Sequence, residues 1–125
     1  EVVILLFALK VAHPNEVFLN RGNHEDHHMN HKYGFETQCV ERFGPEFGPA
    51  VYQLISEAFT QLPLATVIAE RILVVHGGIG DGRWSVSDLR KVSRPLTHQQ
   101  LQAPGNEWLW NILWSDPIED DAAAS

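Results

Sequence analysis

The chain opens on an apolar run, Val2 to Ala12, interrupted by Lys10 alone. Its length and its leucine, alanine and lysine content predict a helix, which His13-Pro14 ends because the residue before proline is driven out of the helical region. So apolar a helix reads as a buried segment. Val17 to Leu19 follows as a short buried strand, and Arg21-Gly22-Asn23-His24-Glu25-Asp26 is the polar loop at its end. From Met29 to Phe43 a helical or turn-helix segment is predicted, broken near Gly34, and Pro45 opens the next helix from its first turn. Phe47, Val51, Leu54, Ile55, Ala58 and Phe59 recur at spacings of three and four, the stripe of an amphipathic helix packed on an apolar surface.

Beyond Pro63 the period changes. The β-branched stretch Leu64 to Ala69 predicts a strand, Glu70-Arg71 a turn, and Ile72 to Val75 a second strand, together a hairpin that ends on His76-Gly77-Gly78. Gly80-Asp81-Gly82 signals a loop, and Ser85 or Ser87 can cap a short helix running through Leu89 to Val92. Thr97 to Gly105 has little periodicity and reads as loop. Trp108 to Trp114 is the last ordered element, stopped by Ser115-Asp116-Pro117.

With 125 residues and 44% hydrophobic content, the chain can build one globular core. Its net charge of -7 and lack of any Lys/Arg run argue against a nucleic-acid surface. Cys39, the one cysteine, cannot form an internal disulfide, and no Asn-x-Ser/Thr acceptor occurs. A reducing compartment, cytoplasmic or nuclear, is expected. The opening apolar run is shorter than the roughly 20 residues of a membrane span and lacks the basic flank of a signal peptide. Because the chain starts in mid-pattern, an upstream part is expected, with residues 1–117 forming one incomplete domain and 118–125 an acidic, small-residue tail.

Two apolar strands that end in similar polar tips suggest one site. Asn23 and His76 offer a side-chain carbonyl and a neutral imidazole, donors suited to Mn, Fe or Zn rather than calcium. In both motifs a glycine lets the backbone approach a bound ion or phosphate. His24 points to the other side of an extended backbone from Asn23, and imidazole is a natural proton donor to a leaving alkoxide. Arg21 reads as a clamp holding the loop together with Glu25, the alternative being a direct phosphate contact. His27 and His31 have the i, i+4 spacing of a helical ligand pair, but further ligands are not evident, so a solvated surface is expected. Cys39 reads as core, Trp108, Trp110 and Trp114 as core and wall, and Trp84 as isolated.

Leu19-Asn20-Arg21-Gly22-Asn23-His24-Glu25, Tyr33-Gly34-Phe35, Leu62-Pro63-Leu64-Ala65, His76-Gly77-Gly78 and Leu113-Trp114-Ser115-Asp116-Pro117 resemble, in order and spacing, the middle of the phosphoprotein phosphatase family of serine/threonine phosphatases. Asn20 and Asp26 look most like the EF-hand-containing, retinal-degeneration-C type. The resemblance implies part of a metallophosphoesterase-like four-layer α/β sandwich with two divalent metal ions in the complete domain, Mn foremost, Fe or Zn otherwise. It implies that Asn23 and His76 ligate the second metal and that His24 is the general acid while a metal-bridging hydroxide attacks phosphoserine or phosphothreonine. Arg21, Glu25, Trp114 and Asp116 would line or support the cleft. Phosphoprotein substrates and a regulatory or targeting subunit are the implied partners.

The family's Gly-Asp-x-His-Gly and Gly-Asp-x-Val-Asp-Arg-Gly motifs, its downstream histidine ligand and its second phosphate-binding arginine have no match here. Two ligands of one metal cannot hold a dinuclear centre, so the chain alone is expected to be inactive. The competing readings are a truncated, non-catalytic binding or regulatory module and another metallophosphoesterase, such as a dinucleoside polyphosphate hydrolase.

Overall fold

The computed structural model describes residues 1–116 as six helices and one two-stranded antiparallel sheet. Pro117 and the 118–125 tail expectation lie outside the described residues. Helix α1 covers Val2–Ala12, as the apolar run predicts, yet none of its residues is buried and Val11 is 82% exposed. The correction follows from the helix being apolar all round: only one side meets the rest, through Phe7 packed edge-on against Phe59 (6.2 Å). Lys10 ties its end down by donating to the carbonyls of Pro14 (2.7 Å) and Val17 (2.9 Å).

Val17 to Leu19 forms no ladder, and Phe18 is exposed, so the expected buried strand is not a strand. The loop that follows is tied to the segment leading into the hairpin by one backbone bond, Arg21 N–H to Pro63 O (2.7 Å). Helix α2 spans His27–Lys32, starting two residues before Met29 because Asp26 caps it, accepting from His28 N–H. Gly34, at φ 79°, separates it from α3, Phe35–Gln61, itself kinked at Gly44 (φ 79°, ψ 164°) just before Pro45. The kink folds α3 back on itself where Gly48 sits. A Cβ there would stand 2.4 Å from Val40 Cα.

The buried face of α3 is Cys39, Gly48, Tyr52, Ile55, Ser56 and Phe59. Phe47 and Leu54, counted in the predicted stripe, are exposed, because the buried face runs through Gly48, Tyr52, Ile55, Ser56 and Phe59, with Phe47 and Leu54 beside it. Strands β1 (Ala65–Ile68) and β2 (Ile72–Val75) pair in the register Ala65↔Val75 to Ile68↔Ile72. The turn falls at Ala69 and Glu70, one residue earlier than predicted, with both at positive φ (50° and 58°) and Arg71 N–H bonded to Ile68 O.

Helix α4 (Val86–Lys91) has a capping box of Ser85 and Asp88, whose carboxylate is held below its ordinary pKa chiefly by its bond from Ser85. The segment read as loop contains α5 (His98–Leu101), one turn long, and too short for periodicity to reveal; Thr97 and Gln100 cap it reciprocally. Helix α6 (Glu107–Trp114) completes the core of Leu64, Leu96, Leu101, Leu109, Ile112 and Leu113. Trp84 is not isolated: it packs beside Trp108 (5.8 Å) and its indole N–H donates to Ile79 O (2.9 Å). No helix among the described residues is long and apolar enough to cross a membrane.

Two substitutions test this packing. Gly48→Ala forces backbone against backbone and is expected to destabilise by about 1–3 kcal/mol in urea unfolding. Replacing Ala69-Glu70 by Asn-Gly, the pair suited to two positive φ angles, is expected to raise stability by roughly 0.5–1 kcal/mol.

Candidate metal centre

The loop after Leu19 is sewn to the hairpin by one side chain. Asn20 Nδ2 donates to Val74 O (3.1 Å) while its Oδ1 accepts from Thr66 Oγ1 (2.7 Å). Thr66 and Val74 are partners in the hairpin register, so both strands hold the loop at one level. Three residues later the loop reaches the tip of β2. There His76 Nε2 lies 3.0 Å from Asn23 Oδ1.

Glycine makes the approach feasible. A Cβ on buried Gly22 would stand 3.0 Å from His76 Nδ1 and 2.7 Å from Glu25 Oε2. That same Oε2 accepts from Gly22 N–H at 2.7 Å, closing the turn. Gly77 presses against the last turn of α6: its N–H donates to Ile112 O (2.8 Å), and a Cβ would meet Trp114 N at 2.8 Å. Trp114, stacked on Trp110 (5.2 Å, 13°), and exposed Asp116 thus follow directly from the helix end that supports the His76 loop.

Arg21 is 1% exposed. Its Nε donates to Glu25 O (2.9 Å), Nη1 to Leu96 O, and Nη2 stands 3.7 Å from Asp26 Oδ2. Burial pulls the guanidinium pKa down, against the opposing pull of Asp26 and Glu25. A side chain so enclosed holds the loop from within and has no free face for phosphate. His24 goes elsewhere: its exposed ring packs on Tyr33 (4.6 Å) at the edge of a 270 Å³ cavity shared with Val3, Phe35 and Phe59. The structure therefore brings Asn23 and His76 together and sends His24 to another face of the loop.

Asn23 and His76 fit a divalent ion as two of its ligands. Their bond requires the proton on Nε2; with that proton on Nδ1 instead, a lone pair of Nε2 and a carbonyl oxygen face one point. Both are neutral donors of borderline hardness.

Sequence reasoning missed three residues. Asn20, which local sequence marks only by resemblance, fixes the loop. Asp26 is buried, caps α2 and accepts from His98 Nδ1 (2.9 Å), while His98 stacks on His28 (4.0 Å, 19°). His28 is exposed, and its ring lies on His98. Its partner lies in α5, far along the chain, where no local signal marks it. His27 and His31 are exposed, with His27 Nδ1 against Tyr52 OH (3.0 Å) and His31 against Glu36 (2.9 Å). Cys39 is buried, which pushes its thiol pKa up and makes it unreactive.

A family model for calcineurin-like phosphoesterases matches residues 1–124. Serine/threonine-protein phosphatase T of Aspergillus oryzae is 44% identical over 119 residues, 94% of this chain and 23% of that protein. Serine/threonine-protein phosphatase rdgC of Drosophila melanogaster is 38% identical over 127 residues, 94% of this chain and 19% of that protein. The chain thus spans less than a quarter of these curated relatives. Among solved structures, a serine/threonine phosphatase from Saccharomyces cerevisiae with similarity to human phosphatase PP5 superposes with a TM-score of 0.79 at 37% identity, over 95% of this chain and 35% of that one. The α/β metallophosphoesterase fold implied by the motifs is shared with that phosphatase.

Replacing Arg21 by methionine leaves two carbonyls and Asp26 without their cation. A loss of about 3–5 kcal/mol is expected in denaturant unfolding, well beyond the effect of the exposed Arg83→Met.

Proposed function

The chain belongs to the calcineurin-like phosphoesterase family, among its serine/threonine phosphoprotein phosphatases, and we propose that it carries one metal-ligand pair and the proton donor of a centre hydrolysing phosphoserine and phosphothreonine. The observation behind this reading is the 3.0 Å convergence of Asn23 Oδ1 and His76 Nε2 at the tips of two loops. These residues would hold one of two divalent ions, Mn first, Fe or Zn otherwise. When bound, such ions neutralise charge on phosphate oxygens and lower the pKa of water.

What the chain itself does follows from the donor types. Asn23 and His76 are both neutral, so an ion between them keeps its full charge for the anionic substrate. Gly22 and Glu25 hold the turn that presents Asn23. Arg21 anchors the loop from below, and Trp114 with Asp116 lies beside the His76 loop. His24 is exposed and, among the described residues, makes no side-chain hydrogen bond, so its ring is free to protonate the seryl or threonyl oxygen as the P–O bond breaks. Two neutral ligands leave one coordination sphere incomplete, and the 125 residues alone are proposed not to turn over. The substrates are phosphoproteins of the cytoplasm or nucleus, met through a targeting or regulatory subunit.

A segment exchange tests the reading. Residues 1–116 are placed in the Saccharomyces cerevisiae phosphatase in lieu of the segment they superpose on, and Mn²⁺-dependent phosphate release from a phosphoserine peptide is measured. Turnover is expected, falling by about 10²–10⁴ in kcat for His24→Asn and requiring a higher Mn²⁺ concentration for Asn23→Ala. A folded chimera without turnover would favour a non-catalytic module instead. An unchanged kcat in His24→Asn would remove that residue from the chemistry.

A further inference from the structure

We propose a second metal site, independent of Asn23 and His76, in which Asp26, His28 and His98 bind a borderline divalent ion such as Zn²⁺. One donor atom from each of the three lies within 4.8 Å of the others. A carboxylate oxygen and two imidazole nitrogens on one tetrahedral ion would stand roughly 3.3–3.5 Å apart, so the donor atoms are already near that spacing. Two histidines and one carboxylate with a position left for water is a donor set that suits zinc.

The surroundings favour a cation. Asp26 is 4% exposed, and its Oδ2 has no hydrogen-bond partner among the described residues, Arg21 standing 3.7 Å away. The three residues border a 380 Å³ cleft also lined by Glu25 and Glu57, so carboxylates outnumber the one buried guanidinium. His28 and His98 stack nearly parallel at 4.0 Å, an arrangement that like charge on both rings would disfavour and that one shared ion would stabilise. His28 is exposed and His98 19% exposed, which leaves the ion a way in. Asp26 and His28 belong to the start of α2, whereas His98 opens α5. An ion there would staple the loop that carries Asn23 and His24 to a segment 72 residues away.

The test is Zn²⁺ titration of the full 125-residue chain, followed by competition with a chromogenic chelator, by thermal melting and by the visible band of Co²⁺ in its place. One ion per chain, a raised melting temperature and an intense tetrahedral Co²⁺ band are expected. His28→Gln, an exposed position whose ring only stacks, should weaken binding at least tenfold and abolish the melting shift, and His98→Gln should do likewise. The Asn23→Ala/His76→Ala variant and His31→Gln should bind as the parent does. Absence of binding, parental binding by His28→Gln, or binding lost in either of the last two variants would overturn the site.

Discussion

The arrangement of this chain turns on the burial of one charge. Arg21 stands inside the fold with its guanidinium shared among Glu25 O, Leu96 O and Asp26. Desolvating an arginine costs several kcal/mol and is tolerated only when its donors are matched. That requirement drives three separate stretches of sequence to one place: the polar loop itself, the cap of α2, and the segment that leads into α5. Leu96 N–H in turn donates to Thr60 O (2.9 Å), and Arg94 reaches Gln61 O (2.9 Å), so the end of α3 is drawn into the same knot.

Once the loop is anchored from below, its upper side can be exposed without losing its shape. Asn20 bonds to both hairpin strands, Gly22 admits the His76 ring, and Gly77 rests on the end of α6. Polar atoms that a metal could use thus sit on a rigid floor, the condition for a preorganised site. The same anchoring explains why Asn23 and His24 serve different neighbours: the turn between them aims one at β2 and the other at Tyr33. Two adjacent side chains thus face different surroundings.

The division between charged floor and apolar walls also accounts for the least settled part of the surface. α1 is apolar on all sides but is touched on one, and Val17 to Leu19 joins no ladder and leaves Phe18 exposed. Hydrophobic periodicity records how much of a helix could be buried, not what is there to bury it. That is why the helix was legible and its burial was not.

What the sequence determined by itself was local. The ends of α1, the break at Gly34, the hairpin, the cap of α4, and the motifs around Asn23 and His76 were all readable, since proline, glycine, capping residues and alternation act within a few positions. The family motifs added the fold for the same reason, being short strings of fixed residues. Tertiary structure decided everything that needs residues far apart in the chain: which face of α3 is covered, leaving Phe47 and Leu54 exposed, the partners of Arg21, the bridging by Asn20, and the meeting of Asp26 and His28 with His98. A histidine carries the same letter whether it faces water or stacks on another ring, and only the packing of α5 against the α2 cap distinguishes the two.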